Sequence, residues 1–273
     1  MNILVVSNIH TSVKPQDVAR ICEVLTAQGA LVTTATFAAG EQLSCHTADL
    51  IITIGGDGTI MHVAKQAAGA GIPVLGINSG KLGFLAGMEM DETHLLQHLF
   101  DGCYHTEERM LLDVTVDGCE GTYLAMNEAV VSRGALSRLV DLTVVSDDND
   151  VMHYRADGIL VATPTGSTAY SLSAGGPVVD PRVACVLLTP ICPHSLYARS
   201  HVFNDDTVLH VQTANTRGET FLTVDGEAEV QIPVGGTVTV KKSQFTARLV
   251  RLKTQSFQDV LQEKLISRDG GLQ

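Results

Sequence analysis

Residues 51–59 read Ile-Ile-Thr-Ile-Gly-Gly-Asp-Gly-Thr, and this stretch indicates the fold more directly than any other part of the chain. A run of apolar residues typical of a buried strand ends in glycines, and a helical pattern follows from about Thr59. Glycines let the backbone approach a phosphate because no Cβ stands in the way, and the first N–H groups of a helix attract anions. Thr59 is a candidate cap for that helix. The predicted phosphate-binding residues are Gly55, Gly56, Gly58 and Thr59.

Asp57 distinguishes this turn from the common phosphate-binding loops. The stretch lacks the GxGxxG spacing, and no Lys-Ser/Thr pair follows the glycines as in a Walker A loop. A carboxylate repels phosphate unless it takes a proton from a nucleophile or lies near Mg²⁺. The alternative is an ordinary turn in which Asp57 forms an Asx bend. The turn alone does not decide between the two interpretations.

Strand and helix patterns alternate on both sides of this stretch through the first hundred residues. Such alternation predicts parallel strands joined by crossover helices, an α/β domain with a Rossmann-like sheet. A second Gly-rich segment, residues 76–85, leaves the next strand, and we expect it to be a strand-exit loop with Phe84 and Leu85 in the core. The predicted strands are 2–7, 31–37, 49–54 and 73–77, and the predicted helices are 15–28, 59–70 and 91–100.

The pattern changes after Asp101-Gly102 to short strands with tight turns, which predicts a β-rich domain of antiparallel type. A final helix at 256–266 is expected to pack back on the first domain. We therefore predict domains at 1–102, 103–254 and 255–273, the last being the helix and tail. The predicted strands are 110–116, 123–131, 139–145, 158–162, 183–188, 208–213, 221–224, 229–232 and 237–241.

Composition excludes several classes of protein. The net charge is −12 and no cluster of Lys and Arg appears, so we expect no nucleic-acid partner. No apolar stretch approaches the ~18 residues of a membrane span, and the first ten residues have the pattern of a strand rather than of a signal peptide. The six cysteines contain no CxxC pair, so reduced thiols and a cytoplasmic protein are expected.

The second half contains a long polar stretch with almost no charge. Residues 163–177 are rich in hydroxyls and glycines, which offer donors and acceptors for bases, sugars and diphosphates. Asn127 and Glu128 interrupt an otherwise apolar strand and need polar partners there. A ligand could supply those partners, and so could a buried internal hydrogen-bond network.

Taken in order, these motifs resemble the ATP-NAD kinases of bacterial type. The resemblance rests on the Gly-Gly-Asp-Gly-Thr turn at 55–59, Asn127-Glu128, Asp157-Gly158 and the string Thr-Pro-Thr-Gly-Ser-Thr-Ala-Tyr at 163–170. Residues 189–196 and Asp225-Gly226 also match, so it covers nearly the whole chain to about Gly226. Lipid kinases and phosphofructokinases carry similar Gly-rich turns, whereas the string at 163–170 is specific.

The resemblance implies an enzyme that phosphorylates the 2′-hydroxyl of the adenosine ribose of NAD to give NADP, with ATP as donor and Mg²⁺ arriving with ATP. It implies an α/β domain and a β-rich domain with NAD between them, in a homotetramer. Asp57 would be the base. The residues implied to bind NAD are Asp57, Gly58, Asn127, Glu128, Arg138, Arg155, Asp157, Thr168, Ala169, Tyr170, Ser171, Leu172 and Ser173.

One residue departs from the family pattern, and two other functions stay open at this stage. Glu227 follows Asp225-Gly226 where the family commonly has Gln, and a carboxylate near diphosphates is unfavourable. A lipid kinase of the diacylglycerol type would share the Gly-rich turn, although the acidic charge and the string at 163–170 argue against it. A non-catalytic NADP(H)-sensing module would not need Asp57.

Overall fold

A computed structural model divides the chain into two compact units. Unit 1 comprises Met1–Glu108 and Phe245–Gln273, and unit 2 comprises Arg109–Gln244. The domain limits drawn from the sequence pattern, at residues 102 and 254, stay a prediction. The structure describes residues 1–9, 13–38, 41, 43–45, 47–80, 83–135, 139–146, 151–195, 198–214 and 218–269, with the backbone only for 264–269.

Unit 1 is an α/β layer structure, as the alternating pattern predicts. Its helices are α1 (Pro15–Ala27), α2 (Asp57–Ala68), a 3₁₀ turn at Thr93–Gln97 that continues into α3 (His98–Asp101), and α5 (Phe257–Asp269). Its strands are β1 (Asn2–Asn8), β2 (Leu31–Phe37), β3 (Leu50–Gly55), β4 (Val74–Asn78), β5 (Met88–Glu89) and the last part of β17 (Thr237–Arg251).

The sheet of unit 1 has the strand order β2-β1-β3-β4, with every pair parallel. The chain leaves β1 toward one side and returns through β3 on the other, so the order reverses between β1 and β3. In open parallel sheets, ligands bind outside the C-terminal ends of the strands at such a switch point. The Gly-rich turn follows β3 and therefore lies at this point.

Helix α2 is fixed behind the turn by one apolar face. Ile60, Val63, Ala64 and Ala67 recur at helical spacing, and each is at most 1% exposed. Gly76 of β4 has no Cβ, and an added Cβ would lie 2.6 Å from the Ile60 side chain. This close packing fixes the position of the first turn of α2 relative to the C-terminal ends of the strands.

Unit 2 is a β-sandwich. The first sheet has the strand order β10-β9-β14-β17, and β6 pairs with β17 on one side and with β7 on the other. The second sheet has the order β13-β12-β11-β8-β15-β16, and all of its pairs are antiparallel. Alternate residues of both sheets, such as Val144, Val131, Val161 and Leu222, form one buried core. The remaining strands are β6 (His105–Val116), β7 (Tyr123–Ala125), β8 (Glu128–Arg133), β9 (Val140–Ser146), β10 (Val151–Ala156), β11 (Gly158–Ala162), β12 (Cys185–Ile191), β13 (His201–Asn204), β14 (Leu209–Thr213), β15 (Thr220–Val224) and β16 (Ala228–Ile232); α4 (Tyr170–Ser173) follows a 3₁₀ turn at Thr165–Thr168.

The strands that follow residue 102 differ from the sequence predictions in three respects. The single strand expected at 123–131 is two strands, β7 and β8, which are separated at Met126-Asn127. Strands β10 and β13 were not predicted, because their short mixed patterns carry little alternation. The last long strand, β17, extends ten residues beyond its predicted end at 241.

The final helix belongs to unit 1, as expected. Ser256 caps it, because the Ser256 Oγ accepts from the Asp259 N–H at 3.2 Å while the Asp259 carboxylate accepts from the Ser256 N–H at 3.0 Å. The ring of Phe257 contacts the ring of Phe84 at a centroid distance of 6.2 Å, and Leu261 is buried. Across the described part of the chain, no helix combines the length and the apolar character that crossing a membrane requires.

Candidate active site

The Gly-rich turn places Asp57 at the very start of α2. Strand β3 ends at Gly55, Gly56 is extended with φ −88° and ψ −179°, and the helix begins at Asp57. The expectation that Thr59 caps this helix was wrong, because Thr59 lies inside the first turn and is buried, with its side chain filling the space where Gly55 has no Cβ. Since no side chain caps α2, its first-turn N–H groups are suited to an anionic ligand.

Both oxygens of the Asp57 carboxylate are oriented by backbone N–H groups. The Phe84 N–H donates to Oδ2 at 2.9 Å and the Leu85 N–H donates to Oδ1 at 3.0 Å. Gly83 passes so close that an added Cβ would lie 2.2 Å from Oδ1. The second Gly-rich segment is thus more than a strand-exit loop, and Phe84 is only half-buried, contrary to the expectation of a core position.

In unit 2, the Asp225 carboxylate organises the break between β7 and β8. Its two oxygens accept N–H groups from Met126 at 2.8 Å, Asn127 at 2.8 Å and Glu128 at 3.0 Å. Asp225 reaches them from a turn in which its own φ is +50°, a left-handed conformation that Asp tolerates better than most residues. The sequence motif includes Asp225, but this bracing role could not be predicted from it.

A tight turn at residues 163–166 packs against the same break. The Thr163 Oγ1 donates to the Met126 carbonyl at 2.6 Å, and the Thr163 N–H donates to the Asn127 carbonyl at 2.9 Å. An added Cβ at Gly166 would lie 2.1 Å from the Asn127 carbonyl oxygen, so only glycine fits this contact. Asn127 is consequently held by its backbone, and its side chain is partly exposed.

Glu128 is a buried carboxyl group at this point. It is 7% exposed, and its Oε2 has no hydrogen-bond partner among the described residues. Its pKa is raised from the ordinary 4.5 to about 7, chiefly by burial and also by the negative charge of Asp225, while a hydrogen bond from the Tyr170 N–H opposes both. Glu128 therefore titrates near neutral pH, and its Oε2 is a buried oxygen without a hydrogen-bond partner among the described residues.

The hydroxyl-rich run divides into internal and accessible residues. Ser167 exchanges two hydrogen bonds with the Val179 backbone at 3.1 Å, and the Ser171 Oγ lies 3.4 Å from the Thr189 Oγ1, so both hydroxyls serve the fold. Ser171, predicted to bind NAD, is fully buried. The other predicted residues of the run are at least partly exposed: Thr168, Ala169, Tyr170, Leu172 and Ser173.

Arg155 and Asp157 lie at the other end of the β8–β11 pair. Asp157 precedes Gly158, which pairs with Ser132, whereas Glu128 pairs with Ala162 four positions further along β11. At about 3.4 Å per residue, roughly 14 Å separates these ends. The structure therefore does not bring the Asp157 and Glu128 groups into contact, and any ligand that reached both would have to be extended.

Asp157 has a partner that the sequence analysis missed. The Arg133 Nε donates to the Asp157 Oδ1 at 2.5 Å, and the Arg133 N–H donates to the Asp157 carbonyl at 3.0 Å. Arg155 is more exposed and lies 3.9 Å from the Asp141 carboxylate. Arg138, also predicted to contact the nucleotide, lies outside the described residues.

A carboxylate fixed at a helix start that attracts anions suits the chemistry of a phosphotransferase, in which phosphates and an attacking hydroxyl must be positioned together. The family models match accordingly: that of the ATP-NAD kinase N-terminal domain at residues 4–104, and that of the ATP-NAD kinase C-terminal domain at residues 126–252. The chain belongs to the ATP-NAD kinase family.

Relatives and solved structures agree with this assignment. The NAD kinase of Symbiobacterium thermophilum is 49% identical over 221 residues, which cover 80% of this chain and 78% of that one. The NAD kinase of Natranaerobius thermophilus is 39% identical over 88% of this chain and 86% of its own.

Two solved structures share the fold. An NAD kinase from Archaeoglobus fulgidus in complex with ATP matches with a TM-score of 0.76 and 28% identity, over 93% of this chain and 94% of that chain. A yeast NADH kinase complexed with NADH matches with a TM-score of 0.85 and 26% identity, over 97% of this chain and 87% of that chain. The family assignment removes the main reason for considering a lipid kinase.

Proposed function

We propose that this protein transfers the γ-phosphoryl group of ATP to the 2′-hydroxyl of the adenosine ribose of NAD, giving NADP and ADP. The observation that carries the proposal is the Asp57 carboxylate, fixed by two backbone N–H groups at the switch point of a parallel sheet. The curated relatives named NAD kinase support the choice of acceptor.

Asp57 accepts the proton of the attacking hydroxyl. The ribose O2′ forms a bond to the γ-phosphorus, the bond from that phosphorus to the bridging oxygen breaks, and ADP leaves with the electron pair. Each carboxylate oxygen has a second lone pair, so the two N–H bonds to Asp57 leave acceptor capacity for the hydroxyl proton. A carboxylate whose orientation is fixed in advance loses little entropy when the substrate arrives.

The phosphates of ATP are held by backbone rather than by a cluster of basic side chains. Gly55, Gly56, Gly58 and Thr59 surround the start of α2, where Gly56 and Gly58 have open space in place of a side chain. Mg²⁺ enters with ATP, bound by phosphate oxygens and water, and neutralises charge that the protein does not neutralise. Among the described residues, no group of three His, Cys, Asp or Glu side chains could hold a metal by itself.

NAD is bound chiefly through residues of unit 2. The partly exposed side chain of Asn127 suits the hydroxyl and amino groups of an adenosine, and the next residue, Glu128, has a buried Oε2 without a partner among the described residues. Gly58 is also proposed to contribute a backbone contact. The other contacts proposed are Arg138, Arg155, Asp157, Thr168, Ala169, Tyr170, Ser171, Leu172 and Ser173, with Ser171 acting through its backbone because its side chain is buried.

We further propose a homotetramer that works in the cytoplasm. Edge strands support self-association, since among the described residues β13 and β10 each pair with a single neighbouring strand and carry the exposed side chains of Val202 and Val151. All six cysteines are free thiols, as is usual in a reducing compartment.

The test of the activity is a coupled assay. Purified protein should form NADP from NAD, ATP and Mg²⁺, and removal of Mg²⁺ by a chelator should stop the reaction. Diacylglycerol offered in place of NAD should not be phosphorylated. Well-folded protein that forms no NADP, or that phosphorylates only the lipid, would contradict the proposal.

A further inference from the structure

We propose that Arg251 is a positioning residue for Asp57, acting through the loop at residues 84–86. The inference rests on the proposed function, because it assigns Arg251 a role in the same phosphoryl transfer. Arg251 is the last residue of β17 and belongs to unit 1, as do Asp57 and the loop. It is remote in sequence from both, and no motif identified in the sequence includes it.

The guanidinium of Arg251 is enclosed by backbone carbonyl groups. Its Nη2 donates to the Phe84 carbonyl at 3.1 Å, and its Nη1 donates to the carbonyls of Leu85 at 3.0 Å and Ala86. Its Nε donates to the Glu107 carboxylate at 2.9 Å, and the side chain is only 13% exposed. All three nitrogens of the guanidinium are therefore used.

The same loop holds the carboxylate from its other side. Phe84 and Leu85 donate their N–H groups to Asp57 and accept from Arg251 through their carbonyls. The peptide unit that joins Phe84 to Leu85 carries one contact of each kind, because its C=O accepts from Arg251 and its N–H donates to Asp57. A rotation of this unit that weakened one contact would weaken the other, because the peptide bond is planar. Gly87 closes the loop tightly, since an added Cβ there would lie 2.4 Å from the Val250 carbonyl oxygen.

Only arginine has the shape for this role. Its planar fork presents donors in fixed directions, so it can bind three successive carbonyls and a carboxylate at once. A lysine at position 251 would keep the positive charge but concentrate its donors at one atom. Arg251→Lys should therefore leave the loop in place and release the orientation of its peptide units, which would let the Asp57 carboxylate move. A displacement of about 1 Å in a catalytic group can cost roughly 100-fold in rate.

The experiment is a kinetic double-mutant cycle of wild type, Arg251→Lys, Asp57→Asn and the double variant, using radiolabelled ATP so that slow turnover is visible. We expect Arg251→Lys to lower kcat by about 10- to 100-fold and to change the KM values for NAD and ATP by less than about twofold. In the Asp57→Asn background the same substitution should cost almost nothing, because the group it positions is already gone. Arg248→Lys is the matched control, since Arg248 lies on the same strand, is half exposed and faces Glu108 at 3.6 Å; it should leave kcat unchanged.

If Arg251→Lys lowers kcat by the same factor in wild type and in Asp57→Asn, Arg251 has a general structural role and the inference is overturned. An unchanged kcat in Arg251→Lys would overturn it as well. If Arg251→Lys does not fold, Glu107→Gln replaces it, and its loss in kcat should likewise disappear in the Asp57→Asn background. A wild type that forms no NADP would refute the proposed function and this inference together. An active wild type with additive losses would refute the inference alone.

Discussion

At the scale of single residues, Asp57 combines a charge with a fixed direction. It opens α2, where a negative side chain interacts favourably with the helix dipole. The N–H groups of Phe84 and Leu85 then determine where its two oxygens lie. Charge and direction can be separated by substitution, because an amide of the same size keeps the shape and loses the basicity.

Asp57→Asn should lower kcat by about 10²- to 10⁴-fold, the usual contribution of general-base catalysis. The KM for NAD should change much less. The fold should be kept because Asn adopts the same backbone conformation, but the melting temperature should fall modestly, since an amide has one acceptor oxygen and loses one of the two N–H bonds at a cost of about 1–3 kcal/mol. Steady-state kinetics and thermal unfolding measure these quantities. Asp49→Asn, at an acid that only accepts the Asn2 N–H, is the control. A near-normal kcat would exclude Asp57 as the base, and a collapse of NAD binding would make it a binding residue instead.

Glu128 should make the stability of the protein depend on pH. Its pKa is about 7 in the folded chain and near 4.5 when unfolded, so the folded state holds the proton more tightly. The contribution of Glu128 to the free energy of unfolding is therefore largest below about pH 4.5, and this contribution is lost as the pH rises through 7. Because Gln cannot ionise, Glu128→Gln should gain up to about 3 kcal/mol relative to wild type between pH 5 and pH 8. Urea unfolding at both pH values measures this change.

The control for this prediction is Glu120→Gln, at an exposed position. The difference in free energy of unfolding between Glu120→Gln and wild type should be the same at both pH values. If the Glu128→Gln difference is also independent of pH, the group titrates normally, and the unpartnered oxygen must find a donor that keeps it ionised.

At the scale of elements, the site of unit 2 is built where strands are interrupted. Strand pairing is interrupted at Met126-Asn127, between the end of β7 and the start of β8. The backbone groups that are left without a strand partner there bond to the Asp225 carboxylate and to Thr163. The break exposes Asn127 without leaving its peptide groups unpaired.

Asp225→Asn should loosen this break and shift the titration of Glu128. An amide has one acceptor oxygen where the carboxylate uses two, so at least one of the three N–H bonds is lost, at a cost of about 1–3 kcal/mol. Removing the negative charge also removes one cause of the raised Glu128 pKa, which should fall. Urea unfolding measures the first effect and carbon-13 NMR of labelled Glu the second. A Glu128 pKa that stays at about 7 would show that burial alone sets it.

At the scale of the whole molecule, the edge strands are the features that favour association with another copy of the chain. In the sheets described, β13 pairs with β12 and β10 pairs with β9, and neither has a second strand beside it. On β10 the Arg155 carbonyl accepts the His194 N–H at 2.8 Å, so that side of the strand is partly used. Val202 is 59% exposed on β13 and Val151 is 54% exposed on β10. Apolar side chains on free edges favour pairing with another chain.

Light scattering coupled to size exclusion should therefore give a mass of about four chains. Because assembly follows mass action, dilution should lower both the mass and, if the tetramer is the active form, the specific activity. A constant monomer mass with full activity at every working concentration would contradict the proposed assembly.

The sequence by itself determined the types of most elements and the family. Hydrophobic periodicity is local, so the alternating first hundred residues and the strand-rich remainder could be read directly, and β2 and β11 have their predicted bounds. The Gly-Gly-Asp-Gly turn and the string at 163–170 also carry the resemblance to the ATP-NAD kinases, whose family models match the chain, while the binding residues drawn from them stay a prediction.

Only the tertiary structure decided what holds those residues in place. The donors to Asp57 lie 27 and 28 residues away, Asp225 lies 98 residues from Asn127, and Arg251 lies 166 residues from Leu85. Contacts over such separations leave no periodicity in the sequence, since each is made by one backbone group or one side chain whose partner is set by the order of strands. For the same reason the unusual titration of Glu128 could not be predicted: it follows from burial and from the charge of Asp225, and both exist only in the folded chain.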